Sequence, residues 1–116
     1  MNKQERINQT LKLLSNSYRL DKNSIRVNSH NNLTHELAKF LKCFELIKEG
    51  NEIYTEAIFR NGKRCDILIP FRMQVIEILD TETEKKALEK IKKYPEQLDI
   101  ICVKAKDIIK EIKVLD

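Results

Sequence analysis

"RCDILIPFRMQVIEILD", residues 64–80, holds two short apolar runs separated by a bend at Pro70, and each run carries a carboxylate: Asp66 in the first, Glu77 in the second. Both runs have the length and apolar content of strands, with the proline closing the first. Burying a carboxylate without a partner is costly or pushes its pKa upward, so an acid inside a strand pattern demands a reason. Upstream lies a third run, "EIYTEAIF", joined through "RNGK", where Asn61-Gly62 is a strong hairpin signal. If those two residues alone form the loop, Asp66 sits opposite Ala57 and Glu56 points to the other face. A three-residue loop through Lys63 instead pairs Ile58 with Asp66 and brings Glu56 onto the face of Asp66.

Helical patterns flank the three runs. Residues 3–15 place Ile7, Leu11 and Leu14 on one side of a short helix, followed by a polar connection with a brief extended piece at 25–27. Residues 34–49 carry Leu37, Phe40, Leu41, Phe44 and Ile47 at helical spacing, with Asn32 or Thr34 as cap and Gly50 as terminator. After the third strand, Thr81 and Glu84 make a capping-box pattern, Ala87, Leu88 and Ile91 form a stripe, and Pro95 lies past the end. "LDIICVK" predicts a strand covered on both faces, and residues 106–115, with Ile108, Ile109, Ile112 and Leu115, a last helix. Three meandering strands, a helical crossover and a fourth strand imply a parallel return. The expected fold is α/β: a three-layer α/β/α domain with a mixed four-stranded sheet. Its core, residues 33–105, runs helix-strand-strand-strand-helix-strand, preceded by a helix and connection (1–32) and followed by a helix (106–116).

Composition sets bounds on function. The 116 residues, 34% charged and 41% hydrophobic, suit one folded domain, and a formal net charge of +4 permits a polyanionic partner without demanding one. Cys43, Cys65 and Cys102 are scattered among apolar neighbours and read as small core residues rather than a disulfide or metal framework. The first residues lack a signal-peptide core and no apolar run is long enough to cross a bilayer, so a cytoplasmic protein without a membrane partner is expected.

Most acids fall on polar helix faces, among them Glu45, Glu49, Glu82, Glu89 and Glu111. Four do not. Asp66 and Glu77 interrupt the most apolar strands, Glu56 interrupts the first, and Glu36 lies roughly 75° from the centre of its helix's apolar stripe, beside Phe40 and Cys43. A divalent cation gives carboxylates a reason to gather: Mg²⁺ takes oxygen ligands and neutralises charge on a phosphodiester. Other chemistries are poorly served. "HELAK" begins like a zinc-protease helix, but Lys39 replaces the second histidine, leaving His30 and His35 as surface or capping residues. There is no Gly-rich phosphate loop.

The order of elements together with these acids resembles the PD-(D/E)XK nuclease superfamily, in particular its archaeal Holliday-junction resolvase-like branch. Glu36 in "THELAKF" looks like that family's helical glutamate, Asp66 in "RCDILI" its metal-binding aspartate, and Glu77 in "VIEIL" the acid of its E-x-K. Glu56 in "YTEAIF" matches an additional first-strand acid, conditional on the hairpin register. The lysine of E-x-K is replaced by Leu79, and Lys85, Lys86, Lys104 or, less favourably, Lys39 are the candidates to fill its role. The resemblance implies a deoxyribonuclease dependent on Mg²⁺ or Mn²⁺, with metal at Asp66, Glu77 and Glu36, acting as a homodimer on junctions or branches. Lys39, Lys42, Arg60, Lys63 and Arg64 are the basic residues placed to meet the DNA backbone. Leu79 motivates the alternative of a catalytically inactive nuclease-fold protein that binds DNA or a protein partner.

Overall fold

The computed structural model describes residues 1–81 and 84–112, with only the backbone at Glu84 and Ile112. Its elements are α1 (Lys3–Leu11), α2 (Leu33–Lys48), β1 (Tyr54–Ile58), β2 (Arg64–Ile69), a 3-10 turn (Pro70–Arg72), β3 (Gln74–Leu79), α3 (Glu84–Ile91), β4 (Asp99–Lys104) and α4 (Ala105–Ile112). The sheet order is β1-β2-β3-β4, antiparallel except for the β3–β4 pair. The α/β class, the mixed sheet and the helix–strand order are those the sequence predicts. One core cluster, containing Ile67, Ile69, Ile76 and Ile78, packs under α2 and α4; the other, containing Leu68, Val75, Tyr94 and Leu98, is covered by the chain after α1 and after α3.

Several boundaries and faces differ from expectation. Asn2 caps α1, which stops at Leu11; Leu14 then makes a β-bridge to Phe59, and the Ser15 amide donates to the Ile58 carbonyl at 2.8 Å. The polar connection forms no strand at 25–27, yet Arg26 donates its amide to Thr55 Oγ1 at 2.9 Å, so the outer edge of β1 is partly covered. β4 is the opposite edge of the sheet rather than a strand buried on both faces, and Ile101 and Cys102 are exposed on it. Cys43 and Cys65 are buried as predicted. The capping-box pairing at Thr81 and Glu84 and the helical continuation to Leu115 rest on parts outside the described residues.

The hairpin loop is neither of the two expected. Gly62 takes the left-handed conformation at φ 85°, its amide donates to Phe59 O at 2.9 Å, and Phe59 N donates to Lys63 O at 2.8 Å, so the loop is Arg60, Asn61 and Gly62. The pairs Thr55–Ile67 and Ala57–Cys65 then set Glu56 opposite Asp66. At that level the alternation of both strands slips by one residue: Tyr54 and Ala57, three apart, share a cluster, as do Cys65 and Leu68. Glu56 sits at the slip with φ 51°. Its carboxylate and that of Asp66 consequently both turn toward α2.

α2 is rotated from the orientation its largest residues suggest. Asn32 caps it by accepting the His35 amide at 2.9 Å, and the face turned inward carries His35, Ala38, Lys39, Cys43 and Leu46. Leu33, Leu37, Phe40 (47% exposed) and Phe44 (58% exposed) face outward, with the two phenyl rings stacked at 6.4 Å. An apolar helix face left in water while a lysine is buried needs a compensating attraction, and the carboxylates of the sheet supply it.

Candidate functional site

The site is built where the β2–β3 ladder opens. Paired residues run from Ile69–Gln74 to Ile67–Ile76, and the next pair would be Asp66 and Glu77. There the carboxylates stand in for ladder bonds: Ile78 N donates to Asp66 Oδ2 at 2.8 Å, and Asp66 N approaches Glu77 Oε1 at 3.4 Å. Two strands each carry an acid because each acid occupies the opening between them.

Asp66 also meets α2. His35 Nε2 lies 3.3 Å from Asp66 Oδ2, and His35 Nδ1 lies 2.7 Å from Glu36 Oε2, so one imidazole bridges two carboxylates. Burial opposes the charged ring, but the hydrogen bonds and charges of Asp66 and Glu36 overrule it and raise His35 to about 9. Burial likewise works against the charge of Asp66, and His35 and the Ile78 amide overcome it to hold the carboxyl below its ordinary range. Glu36 is lowered in the same manner, against burial, by the Asn28 amide (2.6 Å), Lys39 Nζ (2.6 Å) and His35. Asn31 Nδ2 adds a bond to Glu36 at 3.2 Å.

Lys39, 1% exposed, joins Glu36 to β1, its ammonium lying 3.4 Å from Glu56 Oε2. Glu56 Oε1 accepts from Asn28 Nδ2 at 2.8 Å and faces Arg64 Nη1 at 3.9 Å. Lys39 is therefore a buried ion-pair partner and is not available to a DNA phosphate. Glu36 and Glu56 are in turn committed to this network, Glu36 reaching Asp66 through His35 rather than standing beside it as a third ligand.

Glu77 is different. Burial and the neighbouring charge of Asp66 push its carboxyl up to about 8, against the pull of Lys90 and Tyr94. The Tyr94 hydroxyl lies between Glu77 Oε1 and the Arg64 carbonyl, 2.9 Å from the latter. Glu77 Oε2 is buried without a hydrogen bond, and the Lys90 ammonium stands 3.3 Å from it as an ion pair. Of the lysines near a strand acid, Lys90 is the one that takes this position. Lys104 lies beside Leu79 in the β3–β4 register and lines an apolar cleft of about 280 Å³ with Ala87, Leu88, Ile91 and Cys102. Lys85 is exposed, and Lys86 lies one turn before Lys90 on the wall of a basic cleft.

A cleft of about 240 Å³ opens over Glu56 and Asp66, lined also by Asn28, Asn31, His35, Arg64 and Lys90, with Glu77 buried behind Asp66. Of the expected DNA-contacting residues, Arg64 is at its mouth and Lys63 on the adjoining basic cleft, whereas Lys42 pairs with Glu45 at 3.1 Å and Arg60 is exposed in the hairpin loop. Among the described residues, no three His, Cys, Asp or Glu side chains converge closely enough to hold a metal ion. Asp66 and Glu77 form a two-carboxylate set instead. Sequence reading missed His35, Asn28, Asn31, Lys90 and Tyr94. A signal for two of them was present: Lys86, Lys90 and Tyr94 recur at four-residue steps, so the side of α3 that leads to buried Tyr94 also carries Lys90.

Two expectations follow from the network. Replacing Lys39 with Met leaves two buried carboxylates short of a cation and is expected to cost on the order of 3 kcal/mol in urea unfolding; a loss under about 1 kcal/mol would show that Lys39 does not hold α2 to the sheet. The second concerns pH. His35 and Glu77 have folded pKa values raised to about 9 and about 8 from 6.5 and 4.5, so their stabilisation is full below the lower values and is lost as pH rises through the higher ones. Asp66 and Glu36, both lowered, act the other way, losing theirs as pH falls below the ordinary carboxylate range. The denaturant midpoint of the metal-free protein should fall between about pH 6 and about pH 9.5, and a flat profile across that window would contradict the assignment.

No family model matches the chain, and no curated protein or solved structure matches it. The functional reading therefore stands on the geometry of these side chains.

Proposed function

We propose that the protein is a metal-dependent deoxyribonuclease of the PD-(D/E)XK type that hydrolyses DNA phosphodiester bonds at junctions or branches. The observation that carries this reading is the pairing of Asp66 and Glu77 at the opened ladder, under a cleft with Arg64 at its mouth and Lys90 beside Glu77. The donor set fits a hard divalent cation: the ligands are carboxylate oxygens, and Glu77 Oε2 is buried without a hydrogen bond. Mg²⁺ or Mn²⁺ would be held by Asp66 and Glu77, the remaining positions going to water and substrate oxygens. Such an ion, when bound, neutralises phosphodiester charge and acidifies a water molecule.

The chain's own residues have separable tasks. His35 and the Ile78 amide fix the Asp66 carboxylate, and Tyr94 fixes Glu77. Lys90 supplies the ammonium that Leu79 lacks, approaching Glu77 from α3 rather than from β3 itself. Arg64, half-exposed at the side chain, reaches toward an incoming phosphate. Glu36, Glu56 and Lys39 hold the helix that carries His35.

A second reading, a nuclease-fold protein that binds DNA or a protein partner without cutting, is favoured by the internal neutralisation of Glu36 and Glu56, which leaves, among the described residues of the site, Asp66 and Glu77 for a metal. Incubation with branched, duplex and single-stranded DNA plus Mg²⁺ or Mn²⁺ separates the two. Cleavage that vanishes in Asp66→Asn and Glu77→Gln and drops by a factor of about 100 or more in Lys90→Ala supports the enzyme. DNA binding with no cleavage under either metal selects the second reading.

A homodimer belongs to the first reading, and the stripe Leu33, Leu37, Phe40 and Phe44 is the apolar surface a second copy would cover. Phe40→Ser combined with Phe44→Ser is expected to give a folded monomer in sedimentation, where the native chain sediments as a dimer. A native chain that is monomeric at micromolar concentration would remove this part of the proposal.

A further inference from the structure

Three clefts meet at one residue. Arg64 lines the acid-floored cleft, a cleft of about 370 Å³ between the β1–β2 hairpin and α3, and one of about 330 Å³ beside residues 26–30. Lys90 is shared by the first two, and Asn28 and Glu56 by the first and third. The hairpin–α3 cleft is basic on both walls, with Lys63 and Arg64 facing Lys86, Lys90 and Lys93, and Glu89 the one acid among the described residues that line it. Its walls are tied together, because Asn61 Nδ2 donates to the Lys93 carbonyl at 2.7 Å and the Tyr94 hydroxyl sits against the Arg64 carbonyl.

We propose that these clefts form one trough for a single nucleic-acid strand, entering between the hairpin and α3 and crossing the acid pair, with Lys86 and Lys93 binding its phosphates outside the cutting position. The strand-binding class rests on the nuclease reading, but the trough does not depend on cleavage. Charge separates its parts in the order a strand needs: a basic arm for the backbone, then the acids at the crossing point. The third part offers apolar surface for a base, where Val27 is 78% exposed and lines the cleft with Ile58. Clefts of about 240–370 Å³ have room for the backbone and bases of one strand, and a duplex holds its bases paired away from such surfaces. Flaps and single-stranded branches present unpaired strand, so selection for them follows from the shape of the trough.

Fluorescence anisotropy in EDTA, where metal-dependent cutting is blocked, tests the trough by itself. The probes are a labelled single strand of about 12 nucleotides and the blunt duplex made from it. The native protein is expected to bind the single strand about tenfold or more tighter than the duplex, with an affinity that falls steeply with salt. Lys86→Gln with Lys93→Gln should weaken single-strand binding about tenfold and reduce the salt slope by roughly 0.7 per lysine, while Lys48→Gln, at an exposed lysine that lines none of the three clefts, leaves binding unchanged. Circular dichroism verifies that the variants fold. Equal or tighter duplex binding, or unchanged affinity in the double variant, overturns the proposal. Single-strand binding that persists without any cleavage by the native protein in Mg²⁺ or Mn²⁺ upholds the trough and rejects the enzyme.

Discussion

Attraction between two cations of α2 and the carboxylates of the sheet is the constraint on which the rest of the molecule turns. Glu56 and Asp66 face α2 because the alternation of β1 and β2 slips at one level, and two acids pointing into a core leave no stable arrangement unless positive charge follows them. His35 and Lys39, four residues apart on one helix face, supply it. Their inward turn carries Phe40 and Phe44 outward. Side-chain charge, rather than apolar area, sets the rotation of this helix.

The same constraint divides the acids by task. Glu36 and Glu56 are saturated by Lys39, Asn28 and His35, which makes them part of the frame. Asp66 is kept ionised and Glu77 is driven toward its neutral form, an opposition that arises because burial and the charge of Asp66 outweigh Lys90 and Tyr94 at Glu77, whereas His35 and the Ile78 amide outweigh burial at Asp66. The two acids on adjacent strands are thus chemically unlike, although their sequence settings are nearly the same.

The element order was legible because its signals are local: apolar runs of strand length, Asn61-Gly62, Pro70, Gly50 and the Asn32 cap each act within a few residues. Asp66 and Glu77 were legible as anomalies, since charge inside an apolar run is visible without coordinates. What could not be read depends on contacts between distant elements. α2 offers two apolar faces, one through Leu37, Phe40 and Phe44 and another through Ala38, Leu41 and Leu46, and only the sheet acids decide between them. The loop begins at Arg60, which shifts every pairing that was counted from Asn61. Lys90 escaped notice because α3 is rich in lysine and only the placement of Tyr94 distinguishes one from another. "LDIICVK" misled for a related reason, since an apolar edge strand and a buried strand have the same composition.

Glu56 carries a consequence of its own. Its backbone, at φ 51°, has a conformation that glycine adopts freely and that a larger residue occupies at a cost of roughly 1–3 kcal/mol. The main chain at this point asks for the smallest residue, while Lys39, Asn28 and Arg64 ask for an acid. That the acid is present means its bonds outweigh the distortion, so the bend in β1 is itself a gauge of how strongly the helix is bound to the sheet.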